Sequence, residues 1–470
     1  MFEFSIDAHE INTIHFIGIG GVSMSGIANL LLEKGYHITG SDRERNHFVR
    51  RLEEKGAEIA IGQKAENIKD PDLIVYTDAI LPENEELQAA KNTGKPCVTR
   101  GVMLGALMKN YPKSIAVSGT HGKSTTTSMI AEILLHAKTD PTILLGGDLD
   151  EIGGNFQIGE SDFFLTEACE YKGNILYYYP QIAIVLNTDL DHVDYFQSQE
   201  KFTDYFRRYM ENLSEDALAI LNADDEETMK LIPHVKGRVL TFGIDNPEAD
   251  YNATDLHVNG HKGFTFTVRR ENGDTHEVEL TVLGRHNVYD ATAALIATLE
   301  AGVDVEEIRA GLTRYKHLHR RQEVLGTKNG ATVMTDYGHH PLEIRTTLEA
   351  MKFRDEKRLI VVFQPHTYSR TKRLMDDFAR SFDDADLTIV TDIYAARENH
   401  DPTVHSTQLV EKMEARGVPV KYIGSFEEAK AWLLDEMKEG DLVLTTGCGN
   451  PDVLARMLVL DDDEAAYAAH

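Results

Sequence analysis

Three cysteines in 470 residues, Cys97, Cys169 and Cys448, are too few and too scattered for a disulfide framework, and none sits in a C-x-x-C clip. That excludes a stapled secreted module and fits a reducing cytoplasm. Basic residues are also scarce. Lys and Arg number 48 against 77 for Asp and Glu, and the formal net charge of −29 repels phosphate backbones and anionic lipid. Nucleic acid and membrane are therefore not expected as partners. A small anion is still admissible, because a nest of backbone N–H groups holds phosphate even on an acidic protein. No apolar run approaches the ~18 residues of a membrane span. The first eleven residues carry Glu3, Asp7 and Glu10, the wrong charge for a secretory leader. A cytoplasmic location is the expectation. What remains is 42% hydrophobic and 27% charged, an ordinary globular mixture, and the length predicts about three domains. Whether identical chains associate is left open.

Apolar runs of strand length alternate with helical periodicity along the chain, the pattern of α/β domains with parallel sheets. Strands are read over 13–19, 36–40, 73–77 and 97–99, with a helix over 25–34 closed by Gly35. Asn110-Tyr111-Pro112 breaks the pattern and sets a first domain at 1–112. A second run begins at Lys113, and strands at 264–269 and 277–282 flank Glu271-Asn272-Gly273-Asp274, an antiparallel hairpin signal. After the basic cluster at 316–321 a third set of strands begins, at 331–334, 358–363, 386–391 and 441–445. The expected domains are 1–112, 113–315 and 316–470: Rossmann-like, P-loop ATPase-type with an added hairpin, and Rossmann-like again. The acidic stretch Asp461-Asp462-Asp463-Glu464 is read as a solvated tail.

Two glycine-rich turns carry the chemistry. Ser118-Gly119-Thr120-His121-Gly122-Lys123-Ser124 joins a strand to a helix, so its glycines turn N–H groups to an anion, Lys123 neutralises charge and Ser124 can ligate Mg²⁺. Its spacing departs from G-x-x-x-x-G-K-[ST], since Val117 stands where the first glycine belongs. Gly18-Ile19-Gly20-Gly21-Val22-Ser23-Met24-Ser25-Gly26 follows the first strand, with Asp42 where a ribose-binding acid would stand. Alone it suits a dinucleotide or another phosphorylated ligand, and an NAD-dependent dehydrogenase would need no Gly-Lys-Ser loop. Glu167 and Glu170 follow one strand and Asp189, Asp191, His192 and Asp194 another; of these Glu167 and His192 are read as metal ligands. Cys169 is read as a packing residue, as are Trp432 and Tyr177-Tyr178-Tyr179. Asp336-Tyr337-Gly338-His339-His340-Pro341 and the loop from Gln364 to Arg370 lack zinc spacing and read as polar loops at strand ends.

Together these motifs resemble the Mur ligases of peptidoglycan synthesis over nearly the whole chain. The resemblance makes Gly18, Gly20, Gly21, Val22, Ser23, Met24, Ser25 and Asp42 the uridine-diphosphate side. It makes Gly119, Thr120, His121, Gly122, Lys123, Ser124 and Thr125 the ATP loop, with His286, Asn287 and Asp290 beside the adenine. Arg320, Arg321 and Asp336 are implied to close on ATP, and Tyr337, His339, His366 and Arg370 to face the amino acid. Lys123, Glu167, His192, His339 and Arg370 are the implied catalytic set, and Ser124, Glu167 and His192 the Mg²⁺ ligands. Asp290, Thr367 and Gln322 stand where the family usually has Asn, Arg and Phe. The implied reaction is ATP-dependent joining of L-alanine to the lactyl carboxylate of UDP-N-acetylmuramate through an acyl phosphate. A sister ligase adding another amino acid or a peptide, and a regulator that has lost turnover, are the alternatives.

Overall fold

Three sheets organise the chain, in a computed structural model that describes residues 2–6, 11–190, 195–196, 198–259, 263–396 and 398–460. The first contains β1 (Thr13–Ile17), β2 (His37–Asp42), β3 (Glu58–Ile61), β4 (Leu73–Tyr76) and β5 (Cys97–Thr99), all parallel in the order 3-2-1-4-5. The order reverses at β1, and in open parallel sheets such a switch point is where ligands meet the strand ends. The first glycine turn leaves β1 there and runs into the helix Val22–Glu33.

The second sheet has ten strands: β6 (Lys113–Ser118), β7 (Thr142–Leu149), β8 (Gly154–Gln157), β9 (Phe163–Glu167), β10 (Ile182–Val185), β11 (Leu218–Asn222), β12 (Arg238–Gly243), β13 (Tyr251–Val258), β14 (Phe264–Arg270) and β15 (Thr275–Glu279). Their order is 15-14-13-12-11-10-6-9-7-8. β6 pairs in parallel with β10 and β9. Ile115, Ala116, Val117 and the whole of β10 are buried, the unbroken apolar run of a sheet covered on both faces. The expected hairpin forms at Asn272-Gly273: the Arg270 N–H donates to Asp274 O and the Gly273 N–H to Arg270 O, both at 2.9 Å. Its second strand starts two residues earlier than 277–282 and ends at Glu279.

The third sheet holds β16 (Glu323–Lys328), β17 (Ala331–Asp336), β18 (Arg358–Phe363), β19 (Leu387–Val390), β20 (Val420–Tyr422) and β21 (Asp441–Thr446) in the order 16-17-21-18-19-20. Only the β16–β17 pairing in it is antiparallel. By its internal contacts the chain divides into two compact units. One comprises residues 1–254, 268–276 and 289–312, the other 255–267, 277–288 and 313–470. Both glycine turns belong to the first unit. No helix among the described residues is long and apolar enough to cross a membrane. The acidic tail from Asp461 lies outside the described residues.

Candidate active site

In the first unit, β6 ends at Ser118 and the helix Lys123–His136 starts five residues later. The turn between them closes only because Gly119 and Gly122 adopt φ of +134° and +83°, where a side chain is strained. Space forbids one as well: a Cβ on Gly122 would sit 2.5 Å from Asp290 Oδ1. The turn is clamped from the neighbouring strand end. Asn187 Oδ1 accepts from the His121 N–H at 2.8 Å, its Nδ2 donates to His121 O, and its carbonyl accepts from the Thr120 N–H. Asn187 opens the polar strand-end stretch that also carries Asp189, two residues past β10, which borders the loop's own strand, and there it holds the loop's backbone.

Lys123 folds over this turn. Its Nζ donates to Gly119 O, to Thr120 O at 3.0 Å and to Glu170 Oε2 at 3.2 Å. Burial alone would lower the ammonium's pKa, but Glu170, with help from Glu167, outweighs it and holds the group above its ordinary value. Glu170 is 1% exposed. The lysine is thus charged, 16% exposed, and held by a carboxylate and two carbonyls. Glu167, at the end of β9, accepts the Gly146 N–H on Oε1 at 2.8 Å. Cys169 stays a thiol, since burial and the adjacent Glu170 push its pKa up to about 11. Ser124 and Thr125 open the helix with their hydroxyls in the first turn.

Asp290 lies under the turn: it is 5% exposed and its Oδ1 accepts from Thr126 Oγ1 at 3.0 Å. That oxygen braces the loop from beneath, a use that the adenine-side expectation did not contain. His192 and its neighbours at 191–194 lie outside the described residues.

The second glycine turn, at 18–26, is anchored differently. Gly18 and Ile19 N–H groups donate to Ser41 O, and Asp42 Oδ2 accepts the Gly20 N–H at 2.7 Å. Asp42 Oδ1 takes the Arg43 N–H, so both carboxylate oxygens serve backbone. The Gly20 N–H, expected to face pyrophosphate, is thereby committed to tying the turn to β2. Gly21 opens the helix Val22–Glu33 without a side-chain cap, and the N–H groups of Val22, Ser23 and Met24 lie in its first turn, ahead of the first i→i−4 bond at Ser25.

In the second unit, Asp336 ends β17, buried, and ties two segments: Oδ2 accepts the Gln322 N–H and Oδ1 the Gly338 N–H. Burial raises its pKa against the pull of Arg321. The Tyr337 ring lies 4.8 Å from the Arg320 guanidinium and 5.0 Å from that of Arg321. Arg320 also donates to Gly449 O and pairs with Asp452. His339 donates to Tyr337 O and approaches Glu343 at 3.3 Å. His366 stacks on Tyr394, and Thr367, at φ +62°, caps the short helix that carries buried Arg370. His286 faces Gln322 at 3.4 Å, and burial together with Arg321 lowers its pKa to about 4, leaving it neutral. Asn287 is buried and donates to Leu283 O. The structure therefore brings Arg320, Arg321, Tyr337 and Asp336 into one cluster and His339 and His366 to within 6.4 Å of ring centroids. Among the described residues no group of three or more metal-ligating side chains forms.

Comparison with known proteins identifies the family. Residues 13–112 match the Mur ligase family catalytic domain, 117–298 the Mur ligase middle domain and 320–449 the Mur ligase glutamate ligase domain. The UDP-N-acetylmuramate–L-alanine ligase of Caldanaerobacter subterraneus subsp. tengcongensis is 46% identical, over 95% of this chain and 96% of its own length. The chain belongs to the Mur ligase family. A second relative of the same description, from Alkaliphilus metalliredigens, is 45% identical over 98% of this chain and all of its own. Among solved structures, the UDP-N-acetylmuramate–alanine ligase of Thermotoga maritima superposes with a TM-score of 0.79 at 27% identity, covering 97% of this chain and 100% of that one. The three-sheet α/β architecture is thus that of a Mur ligase.

Proposed function

We infer that the chain joins L-alanine to the lactyl carboxylate of UDP-N-acetylmuramate in peptidoglycan precursor synthesis, at the expense of ATP. The observation that carries this is the loop built around Lys123, with Glu170 and Glu167 at the neighbouring strand end, in one compact unit with a second anion-type turn. A carboxylate resists attack by an amine, so its oxygen first attacks the γ-phosphorus of ATP. The bond from that phosphorus to the bridging oxygen of ADP breaks, and an acyl phosphate forms. The alanine amine adds to the acyl carbon, loses a proton, and phosphate departs as the amide forms. Lys123 is placed to exchange its carbonyl partners for phosphate oxygens and to stabilise charge on the transferring group. The donor set suits Mg²⁺: Ser124 and Glu167 would hold it, with His192 as the further ligand, and the ion would neutralise charge on the nucleotide phosphates. Arg320, Arg321, Tyr337, His339, His366 and Arg370 are assigned to the nucleotide and amino-acid side of the second unit.

Release of ADP from ATP, UDP-N-acetylmuramate and a panel of amino acids and short peptides tests this. L-Alanine is expected to support the fastest release. Release driven best by a peptide would make the chain a sister ligase, and no release with any acceptor would leave only nucleotide binding.

A further inference from the structure

Thr367 has a backbone conformation that its residue type resists. Its φ of +62° and ψ of 145° border a region that is essentially restricted to glycine, and a β-branched side chain makes the position harder to hold. The residue lies between His366 and Arg370, on the loop that joins β18 to the helix Tyr368–Arg373. Strain of this kind persists only where the surroundings over-determine it. Within the loop, Thr367 Oγ1 accepts the Arg370 N–H at 3.4 Å, and Thr367 O accepts from Thr371 Oγ1 at 2.7 Å. A helix of six residues is too short to hold a strained neighbour by itself.

The restraint comes from a second segment of the same unit. Tyr394 O accepts the Thr367 N–H at 2.8 Å and the Tyr394 N–H donates to Pro365 O at 2.8 Å, so a short parallel bridge pairs His366 with Tyr394. Further along that segment, Glu398 commits both carboxylate oxygens to one residue of the helix. Its Oε2 accepts the Ser369 N–H at 3.0 Å and its Oε1 the Ser369 hydroxyl. Hydrogen bonds to an ionised acceptor are about twice as strong as neutral ones. Glu398 forms no ion pair among the described residues, so Ser369 is the whole of its side-chain bonding. Docking of the segment does not account for this. Tyr368 Oη with His400 Nδ1 at 3.2 Å, and Lys372 Nζ donating to Thr403 Oγ1 at 2.7 Å, already tie it to the same helix. Glu398 adds a clamp two residues after the strained position, where Tyr394 supplies one at the position itself.

We propose that Glu398 is a positioning residue for the amino-acid acceptor: by clamping Ser369 it keeps Thr367 in its strained conformation, and so fixes His366 before it and Arg370 after it in one arrangement. The inference rests on the acceptor-side reading of those two residues. Without the carboxylate the loop relaxes at Thr367 toward a conformation that a β-branched residue favours, and both groups shift with it. An acceptor held by them then loses binding and alignment together.

The test uses the full chain as wild type, Glu398→Ala, Glu398→Gln, Lys372→Ala and the double variant Glu398→Ala/Thr367→Gly, with a thermal midpoint recorded for each. ADP release is measured with ATP, UDP-N-acetylmuramate and the acceptor that wild type uses best. Glu398→Ala is expected to raise KM for that acceptor by about tenfold or more, while KM for ATP and for the nucleotide sugar stays within about twofold. Glu398→Gln, whose amide oxygen still accepts from Ser369, should recover about threefold of this and serves if the alanine variant is unstable. Lys372→Ala, which loosens the same helix beyond Arg370, should leave all three constants within about twofold. Glycine takes the conformation of Thr367 without strain, so the double variant should also recover about threefold. An unchanged acceptor KM in Glu398→Ala, an equal rise in all three constants, a rise in Lys372→Ala as large as in Glu398→Ala, or a double variant no better than Glu398→Ala would each overturn the proposal. If a peptide is the best acceptor and its KM rises in Glu398→Ala, the functional reading falls and this one stands. If L-alanine is the best acceptor and its KM ignores Glu398, the reverse holds, and no release with any acceptor would overturn both.

Discussion

The two glycine turns of the first unit share a backbone plan and differ in where their charge comes from. Each follows a strand whose two neighbours run parallel to it and feeds a helix whose N-terminus no side chain caps. The turn at 119–124 carries its cation inside the motif, as Lys123, restrained by Glu170. The turn at 18–26 contains no basic residue and takes a guanidinium from Arg100, far along the chain. On the function proposed above, a lysine within the loop exchanges its carbonyl partners for oxygens of the transferring phosphoryl group.

The sharpest way to break this comparison is at Lys123. Lys123→Ala should lower ADP release at saturating substrates by at least ~100-fold, the range seen when one preorganised charge donor to a reacting group is removed. It also leaves the buried Glu170 without its cation, so the variant should be less stable by about 1–3 kcal/mol. The double variant Lys123→Ala/Glu170→Gln should regain stability in urea unfolding and none of the turnover. Turnover within a factor of two of wild type in either variant would remove the loop from the reaction.

Next in size is the metal side. Glu167→Ala should raise the Mg²⁺ concentration for half-maximal rate by about tenfold, because affinity follows the number of charged ligands. Glu167→Ala also frees the Gly146 N–H, so Glu167→Gln, which keeps an acceptor there, separates the two effects. An unchanged Mg²⁺ titration for both variants would make Glu167 a backbone anchor only.

The two cations also differ in titration. Lys123 has its pKa raised in the fold, so its pairing stabilises fully below the unfolded value near 10.5 and is lost as pH rises through the folded value. Arg100 does not titrate in that range. Urea unfolding at pH 9 and at pH 11 should therefore show a loss of stability that is smaller in Glu170→Gln than in wild type. Equal losses would mean that the Lys123–Glu170 pair adds nothing to alkaline stability.

How much of this was legible in the sequence follows from the same contrast. Lys123 could be read because strand, glycines and lysine lie within a dozen residues, and local spacing fixes local geometry. β1, β4, β5, β6, β10 and β18 were legible as short apolar runs. β3, with Glu58 and Ile61 exposed, and β20, with Lys421 and Tyr422 exposed, were not, because edge strands need no apolar face. Arg100 stayed hidden for another reason: it bonds to a turn more than seventy residues away, and the pairings of β1 with β4 and of β4 with β5 bring it there. Asp42 was legible by its position, but spacing locates a carboxylate at a strand end without revealing that its oxygens accept backbone N–H groups.

The smallest expected effect lies beneath the ATP loop. Family resemblance sets Asp290 beside the adenine, and replacing it by Asn would then change the reading of the base. In the structure Oδ1 of Asp290 accepts from Thr126 and lies against Gly122. An amide oxygen accepts the same bond, so Asp290→Asn should change KM for ATP by less than twofold and leave the ATP-to-GTP ratio as it was. Asp290→Ala removes the acceptor and opens space below the turn. It should raise KM for ATP several-fold, on the order of 1 kcal/mol, and Thr126→Val should do the same by removing the donor. If the two groups act through one bond, the double variant Asp290→Ala/Thr126→Val should cost little more than either alone. Additive losses would mean separate roles, and a shifted ATP-to-GTP ratio in Asp290→Asn would return this carboxylate to the base.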